Sequence, residues 1–219
     1  MSQLVVWDWN GTLLADSEAC TDAGNHVITT FGGTPLPRNA YARVFDFPTL
    51  NFYCQQGADR DAMIAHDFVA IFHKHYEQRA SRCRTRRGAR KALHWLKENS
   101  IDSVILSNHI RSSIAQELQR LGIEECFAEI LANEDTASTA LGKNKIRRIH
   151  DYLTRMNYNP SHTVIVGDSP EDIGIGRELG IKTVGVTDGY FSTARLRASK
   201  PDFLIHCLTQ LIEIVETGF

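Results

Sequence analysis

Val5-Val6-Trp7-Asp8-Trp9-Asn10-Gly11-Thr12-Leu13-Leu14 is an apolar run that starts almost at the first residue, stops on a carboxylate and turns at Gly-Thr. A buried strand ending in Asp8 presents that acid at the carboxyl edge of a sheet, where open α/β folds place their ligands. Gly11 permits a sharp turn with no Cβ in the way, and Thr12 adds a hydroxyl there. A lone acid on a strand tip reads as a metal ligand, a nucleophile or a helix cap. Trp7 and Trp9 flank it, Trp7 as core and Trp9 as core or as a wall of the site.

Downstream of Asp16 the pattern changes. From there to about Gly88 the chain reads as helices and loops, with no convincing buried strand. Asp16-Ser17-Glu18 starts a helix that continues through Val27 and Ile28. Phe31-Gly32-Gly33-Thr34-Pro35-Leu36-Pro37 is a loop. Met63, Ile64, Phe68, Ile71, Phe72 and Tyr76 form a helical stripe over Asp61 to Tyr76. Residues 16–88 are therefore expected to be an all-helical insert, and 1–15 with 89–219 the α/β core.

The core shows regular alternation. Helices are expected at Ala89–Glu98, Ser112–Leu121, Lys145–Met156, Glu171–Leu179 and Leu208–Glu216. Strands are expected at Asp102–Leu106, Ala128–Leu131, Thr163–Val166, Thr183–Val186 and Phe203–Ile205. Apolar strands alternating with helices imply βαβ units and a Rossmann-like parallel sheet covered on both faces. Strand ends then carry Asp8, Ser107-Asn108 and Asp168 along one edge. Asp168-Ser169-Pro170-Glu171-Asp172 opens a helix with two acids four apart, and carboxylate oxygens plus waters are what Mg²⁺ takes.

Taken in order, these segments resemble the haloacid dehalogenase-like superfamily. Asp8-x-Asn10-Gly11-Thr12 is similar to its first motif, D-x-D-G-T; Ser107 matches the second, a strand ending in Ser or Thr. Lys145 or Lys143 matches the third, a lysine at a helix start, and Lys145 is preferred because Ile146 and Ile149 follow as the first apolar helix positions. Gly167, Asp168 and Asp172 match G-D-x-x-x-D. The helical insert stands where the superfamily carries its small C1-type cap. The resemblance implies a phosphatase with Asp8 as the nucleophile that forms an aspartyl-phosphate. It implies Mg²⁺ held by Asp8, the backbone carbonyl of Asn10 and Asp168, with Asp172 close by. Thr12, Ser107, Asn108 and Lys145 would bind the phosphoryl group, and Lys145 would also pair with Asp8. The substrate would be a small phosphorylated metabolite, phosphoglycolate-like by resemblance.

One position departs from that pattern. The superfamily's second Asp, its general acid and base, is Asn10 here, and an amide does not exchange protons at neutral pH. That function is typically worth roughly 10²–10⁴ in rate. A good leaving group, another acid such as Asp16, or binding of phosphate compounds with slow or no turnover would each account for the substitution. Phosphonatase chemistry would need a lysine in the insert, where Lys74 is the sole candidate and reads better as a solvated helix residue.

The totals fit. The chain of 219 residues is 42% hydrophobic and 23% charged, with net charge -2, so no global field favours nucleic acid or membrane. Cys20, Cys54, Cys83, Cys126 and Cys207 are scattered without C-x-x-C spacing, which suits a reducing cytoplasm and argues against a zinc or disulfide framework. The first apolar run is too short for a signal peptide. No run of about 18 apolar residues spans a membrane. Arg79, Arg82, Arg84, Arg86, Arg87 and Arg90 read as a solvated face, or as a rim that attracts anions; they lack the interleaved aromatics of a single-strand binder. Gly174-x-Gly176-x-x-x-Gly180 fails dinucleotide-loop spacing and reads as helix packing. His66, His73 and His75 share a helical region, but His73 and His75 are two apart and do not face one way, so they read as surface or boundary residues rather than a metal site. His109 borders the Ser107 strand end, as structure or as a substrate contact.

Overall fold

A computed structural model describes residues 3–134 and 144–218. Its centre is β1 (Leu4–Trp7), buried along its whole length. The other strands are β2 (Asp102–Ile110), β3 (Glu129–Asn133), β4 (Thr163–Gly167), β5 (Lys182–Val186) and β6 (Phe203–Ile205). All pairings are parallel, in the order β3-β2-β1-β4-β5-β6. The chain builds outward from β1 in both directions, so the order reverses at β1 and a ligand crevice opens at its carboxyl end.

Period-two alternation decides which side chain faces which helix layer. Val5, Trp7 and Trp9 share a cluster with Ala92, Leu93 and Leu96 of α6 (Ala89–Glu98) and Leu118 of α7 (Arg111–Leu121). Leu4 and Val6 face the opposite way, onto Ile149, Tyr152 and Leu153 of the helix Lys145–Met156 and Ile175 of the helix Pro170–Leu179. Trp9 is thus core, like Trp7, rather than a site wall; the Trp7 indole N–H also finds Ser103 Oγ at 3.2 Å.

Between β1 and α6 lie α1 (Ser17–Thr30), α2 (Arg38–Val44), α3 (Thr49–Gln55), α4 (Arg60–Ala65) and α5 (Phe68–Ala80). They enclose a second cluster that includes Val27, Ile28, Tyr41, Phe52, Tyr53 and Met63. Phe191, from the loop after β5, packs into it. The Ser192 N–H donates to Ala42 O at 2.9 Å, and the Arg195 guanidinium reaches Phe45 O. The two connections to the sheet run side by side, with Ala15 N–H to Arg84 O at 2.9 Å and Arg86 N–H to Leu13 O at 2.8 Å.

The helices after β3 are α8 (Lys145–Met156), α9 (Pro170–Leu179), α10 (Thr193–Ala198) and α11 (Gln210–Glu216). Two differences from the sequence reading have local causes. The stripe over 61–76 is two helices, because Asp67 takes φ +46° and its carboxylate caps α5 by accepting the Ala70 N–H at 3.2 Å. β2 continues to Ile110 past a register shift, where the Asn133 amide holds Asn108 O at 2.6 Å.

Candidate active site

The β1–β4 register sets the site. Trp7 pairs with Val166, and the Asp8 N–H donates to Val166 O at 2.9 Å, so the ladder carries Asp8 to the sheet edge beside Gly167-Asp168. Asp8, Asp168 and Asp172 each bring a carboxylate oxygen within 4.8 Å of the others, and all three are buried. Gly11 turns the chain at φ +76°, and a Cβ there would lie 2.5 Å from Asp168 Oδ2; only glycine fits.

Every carboxylate is braced. Thr12, fully buried, places its hydroxyl 3.2 Å from Asp8 Oδ2 and 3.0 Å from Asp168 Oδ1. The other Asp168 oxygen accepts the Tyr190 backbone N–H at 2.5 Å. Asp172 closes a capping box on α9, with Ser169 Oγ 2.6 Å from its Oδ2. Lys145, the first residue of α8, points its ammonium at Asp8 Oδ1 (2.6 Å) and Asp172 Oδ1 (3.0 Å). Lys143 lies outside the described residues.

Ser107 is buried beyond the β1–β2 pairing, with its Oγ accepting the His109 N–H at 3.1 Å. Asn108 turns to Glu171, donating to Oε2 at 3.1 Å, which ties the end of β2 to the start of α9. Asn10 is half-buried; its amide nitrogen lies 2.8 Å from Asp16 Oδ2 and 2.8 Å from the Tyr76 hydroxyl. The His109 ring stacks on His73 and meets Tyr76 edge-on, so its neighbours are protein. Burial, with His73 beside it, lowers its pKa to about 4 and keeps it neutral. Lys74 is exposed on α5.

The electrostatics are unbalanced. Burial pushes Asp8 well above the usual carboxylate range; Lys145 opposes that shift, and Asp172 and Asp168 add to it. Burial and Asp172 push Asp168 up to about 6. Burial also works against the charge on Lys145, but Asp172 and Asp8 outweigh it and hold the ammonium well above its ordinary value. Three acids against one cation leave a deficit of two positive charges when all are ionised. Crowded oxygen donors short of positive charge fit a small hard dication such as Mg²⁺.

Several contributors were hidden from the sequence. Arg86 leaves its otherwise exposed arginine run to donate to Gly11 O at 2.7 Å and Thr187 O at 2.5 Å, pinning the Asp8 turn to the loop after β5. In that loop a Cβ on Gly189 would lie 2.1 Å from Asp168 Oδ2, and Tyr190 uses both its N–H and its hydroxyl at the site. Thr187-Asp188-Gly189-Tyr190 directly after an apolar strand was the available signal.

A family model described as haloacid dehalogenase-like hydrolase matches residues 5–186. A phosphoglycolate phosphatase of Synechococcus elongatus is 24% identical over 217 residues, covering 97% of each chain. The pyrophosphatase PpaX of Halalkalibacterium halodurans is 21% identical over 212 residues, covering 96% of this chain and 95% of its own. A solved haloacid dehalogenase-like hydrolase from Streptococcus pneumoniae superposes with a TM-score of 0.79 at 22% identity, covering 97% of this chain and 98% of its own. The braced acids at the sheet edge lie on a chain that belongs to the haloacid dehalogenase-like hydrolase family.

Proposed function

We propose that this hydrolase is a divalent-cation-dependent phosphatase acting on a small phosphate monoester through an aspartyl-phosphate on Asp8. One observation carries the reading: Asp8, at the end of the central strand, is held at 2.6 Å by a buried lysine and crowded by two further buried acids. Asp8 Oδ attacks phosphorus as the ester oxygen departs with its electron pair, and water then cleaves the acyl phosphate. Lys145 keeps Asp8 aimed and supplies positive charge to the phosphoryl oxygens. The Ser107 hydroxyl and the Thr12-braced turn complete the phosphoryl seat. Asp8, the backbone carbonyl of Asn10 and Asp168 would hold Mg²⁺, with Asp172 behind. The ion's chemistry there is to offset the repulsion between a carboxylate and an anionic phosphate.

Residues 1–15 and 89–219 serve as the catalytic core and 16–88 as a cap that closes over the crevice and selects the substrate. Relatives named for phosphoglycolate and pyrophosphate set the first substrate panel. Unpaired cysteines suit a reducing cytoplasm, and no helix among the described residues is long and apolar enough to cross a membrane.

Asn10 favours a second reading, a phospho-ligand binder that turns over slowly, because its amide donates no proton to a leaving alkoxide. An aryl phosphate with Mg²⁺, then with EDTA, separates the two. Metal-dependent turnover that vanishes in Asp8→Ala supports the enzyme. Binding without turnover in wild type and Asp8→Ala alike supports the binder.

A further inference from the structure

Asp16 stands at the N-cap of α1, yet its side chain makes no capping bond to that helix. It turns instead into a fully buried site and collects four donors. The Gly11 N–H reaches Oδ1 at 2.7 Å. Oδ2 accepts the Asn10 amide at 2.8 Å, the Tyr76 hydroxyl at 2.5 Å and the Tyr190 hydroxyl at 2.7 Å. A carboxylate that forgoes a cap worth about 1 kcal/mol and accepts from three separate elements has its own task.

Donor counting fixes what that task is. An ionised carboxylate only accepts. The Tyr76 hydroxyl spends its single hydrogen on Asp16, so toward Asn10 it accepts, and the Asn10 nitrogen lies 2.8 Å from it. Both amide hydrogens of Asn10 are thereby committed, one to Asp16 and one to Tyr76. The reversed amide would set a carbonyl oxygen against the Asp16 oxygen and leave the Tyr76 oxygen without its donor. Asp16 and Tyr76 are buried while Asn10 is half-buried, so the nitrogen end of the amide is its inner end. The amide's remaining polar atom is its carbonyl oxygen, a pure acceptor.

We propose that Asp16, Tyr76 and Tyr190 are positioning residues that lock Asn10 as a hydrogen-bond acceptor for the water that hydrolyses the aspartyl-phosphate. The inference rests on the phosphatase reading above. No base is required for this step. The water oxygen bonds to phosphorus and the P–O bond to Asp8 breaks, its electron pair returning to the Asp8 carboxylate. One water proton passes to a phosphoryl oxygen, and the product leaves as dihydrogen phosphate. The side-chain carbonyl of Asn10 holds the water's other O–H, which orients the attacking lone pair. Tyr76 lies on α5, so the lock is complete only while that helix is docked against the Asp8 turn.

The test is a double-mutant cycle of Tyr76→Phe and Asn10→Ala, read by stopped flow on an aryl phosphate with saturating Mg²⁺. Tyr76→Phe is expected to lower kcat about tenfold, the effect of one lost positioning hydrogen bond. KM should fall in step with kcat and leave kcat/KM little changed, with a burst of phenol preceding slow phosphate release. In the Asn10→Ala background the same change should cost less than about twofold, because its route through Asn10 is gone. Tyr190→Phe should repeat the pattern from the opposite element, which covers the case of a misfolded α5 variant. Equal losses in both backgrounds, or slowed phenol release in place of phosphate release, would overturn the positioning role and leave the phosphatase reading standing. A wild type that never turns over an aryl phosphate in Mg²⁺ would remove that reading and this inference with it.

Discussion

Asp168→Asn isolates the charge imbalance at the sheet edge. Asp168 is buried, and burial with Asp172 lifts its pKa from the ordinary 3.8 to about 6. Without metal the folded state therefore binds more protons than the unfolded chain between about pH 4 and pH 6, and stability falls as pH rises through that window. A shift of about two units corresponds to at most about 3 kcal/mol against the folded apoprotein above it. Asparagine keeps the shape. Its carbonyl accepts the Tyr190 N–H, and its amide donates to Thr12, whose own hydrogen stays with Asp8. Metal-free Asp168→Asn at about pH 7.5 should thus melt higher than wild type, by roughly 2–4 °C for each kcal/mol regained, and the gain should vanish below about pH 4. Added Mg²⁺ reverses the order, because wild type gains about 2.7 kcal/mol at 100 times its Kd and the variant gains little. Calorimetric scans across pH, with and without Mg²⁺, read both effects. A metal-free variant less stable than wild type at neutral pH would refute the claim that these acids repel one another.

Lys145→Met removes the cation paired with Asp8 and Asp172 and should cost about 3–5 kcal/mol, the usual penalty for orphaning buried charge. Part of that loss should return on acidification, as urea denaturation series at two pH values would show. Arg86→Ala unpins Gly11 and Thr187, losing two charge-assisted bonds of about 1.5–3 kcal/mol each; Mg²⁺ titration calorimetry should show weaker binding, although Arg86 is no ligand. Asn10→Asp places a second carboxyl within 2.8 Å of Asp16, where one of the pair retains a proton near neutral pH. It should raise kcat on alkyl phosphates more than on aryl phosphates, and equal effects on the two would place the protonation elsewhere.

Much of this was legible in the sequence because buried parallel strands write themselves as apolar runs. Lys145–Met156 and Phe203–Ile205 are bounded as their pattern indicates, and the structure brings Asp8, Lys145 and the Asp168–Asp172 pair together from three distant segments. Strand ends in a doubly wound sheet must share an edge, so placing the strands placed these groups. What stayed hidden depends on tertiary approach. Tyr76 read as one more apolar residue in a helical stripe, and Arg86 as one member of a solvated run; neither hydrogen bond follows from local pattern. Asp16 had the signature of a helix cap, and only its surroundings show it turned toward Asn10. The break at Asp67 was invisible because a left-handed residue in a continuous helical stripe leaves the periodicity almost intact.

The central claim is that Asp8 carries the phosphoryl group. Acid quench during turnover of an aryl phosphate with Mg²⁺, followed by mass spectrometry of the peptide spanning Asp8, reads it directly. The account predicts one phosphoryl group on Asp8, formed within the first turnover and absent with EDTA or in Asp8→Asn. Metal-dependent turnover with Asp8 unmodified, or turnover undiminished in Asp8→Asn, would contradict it.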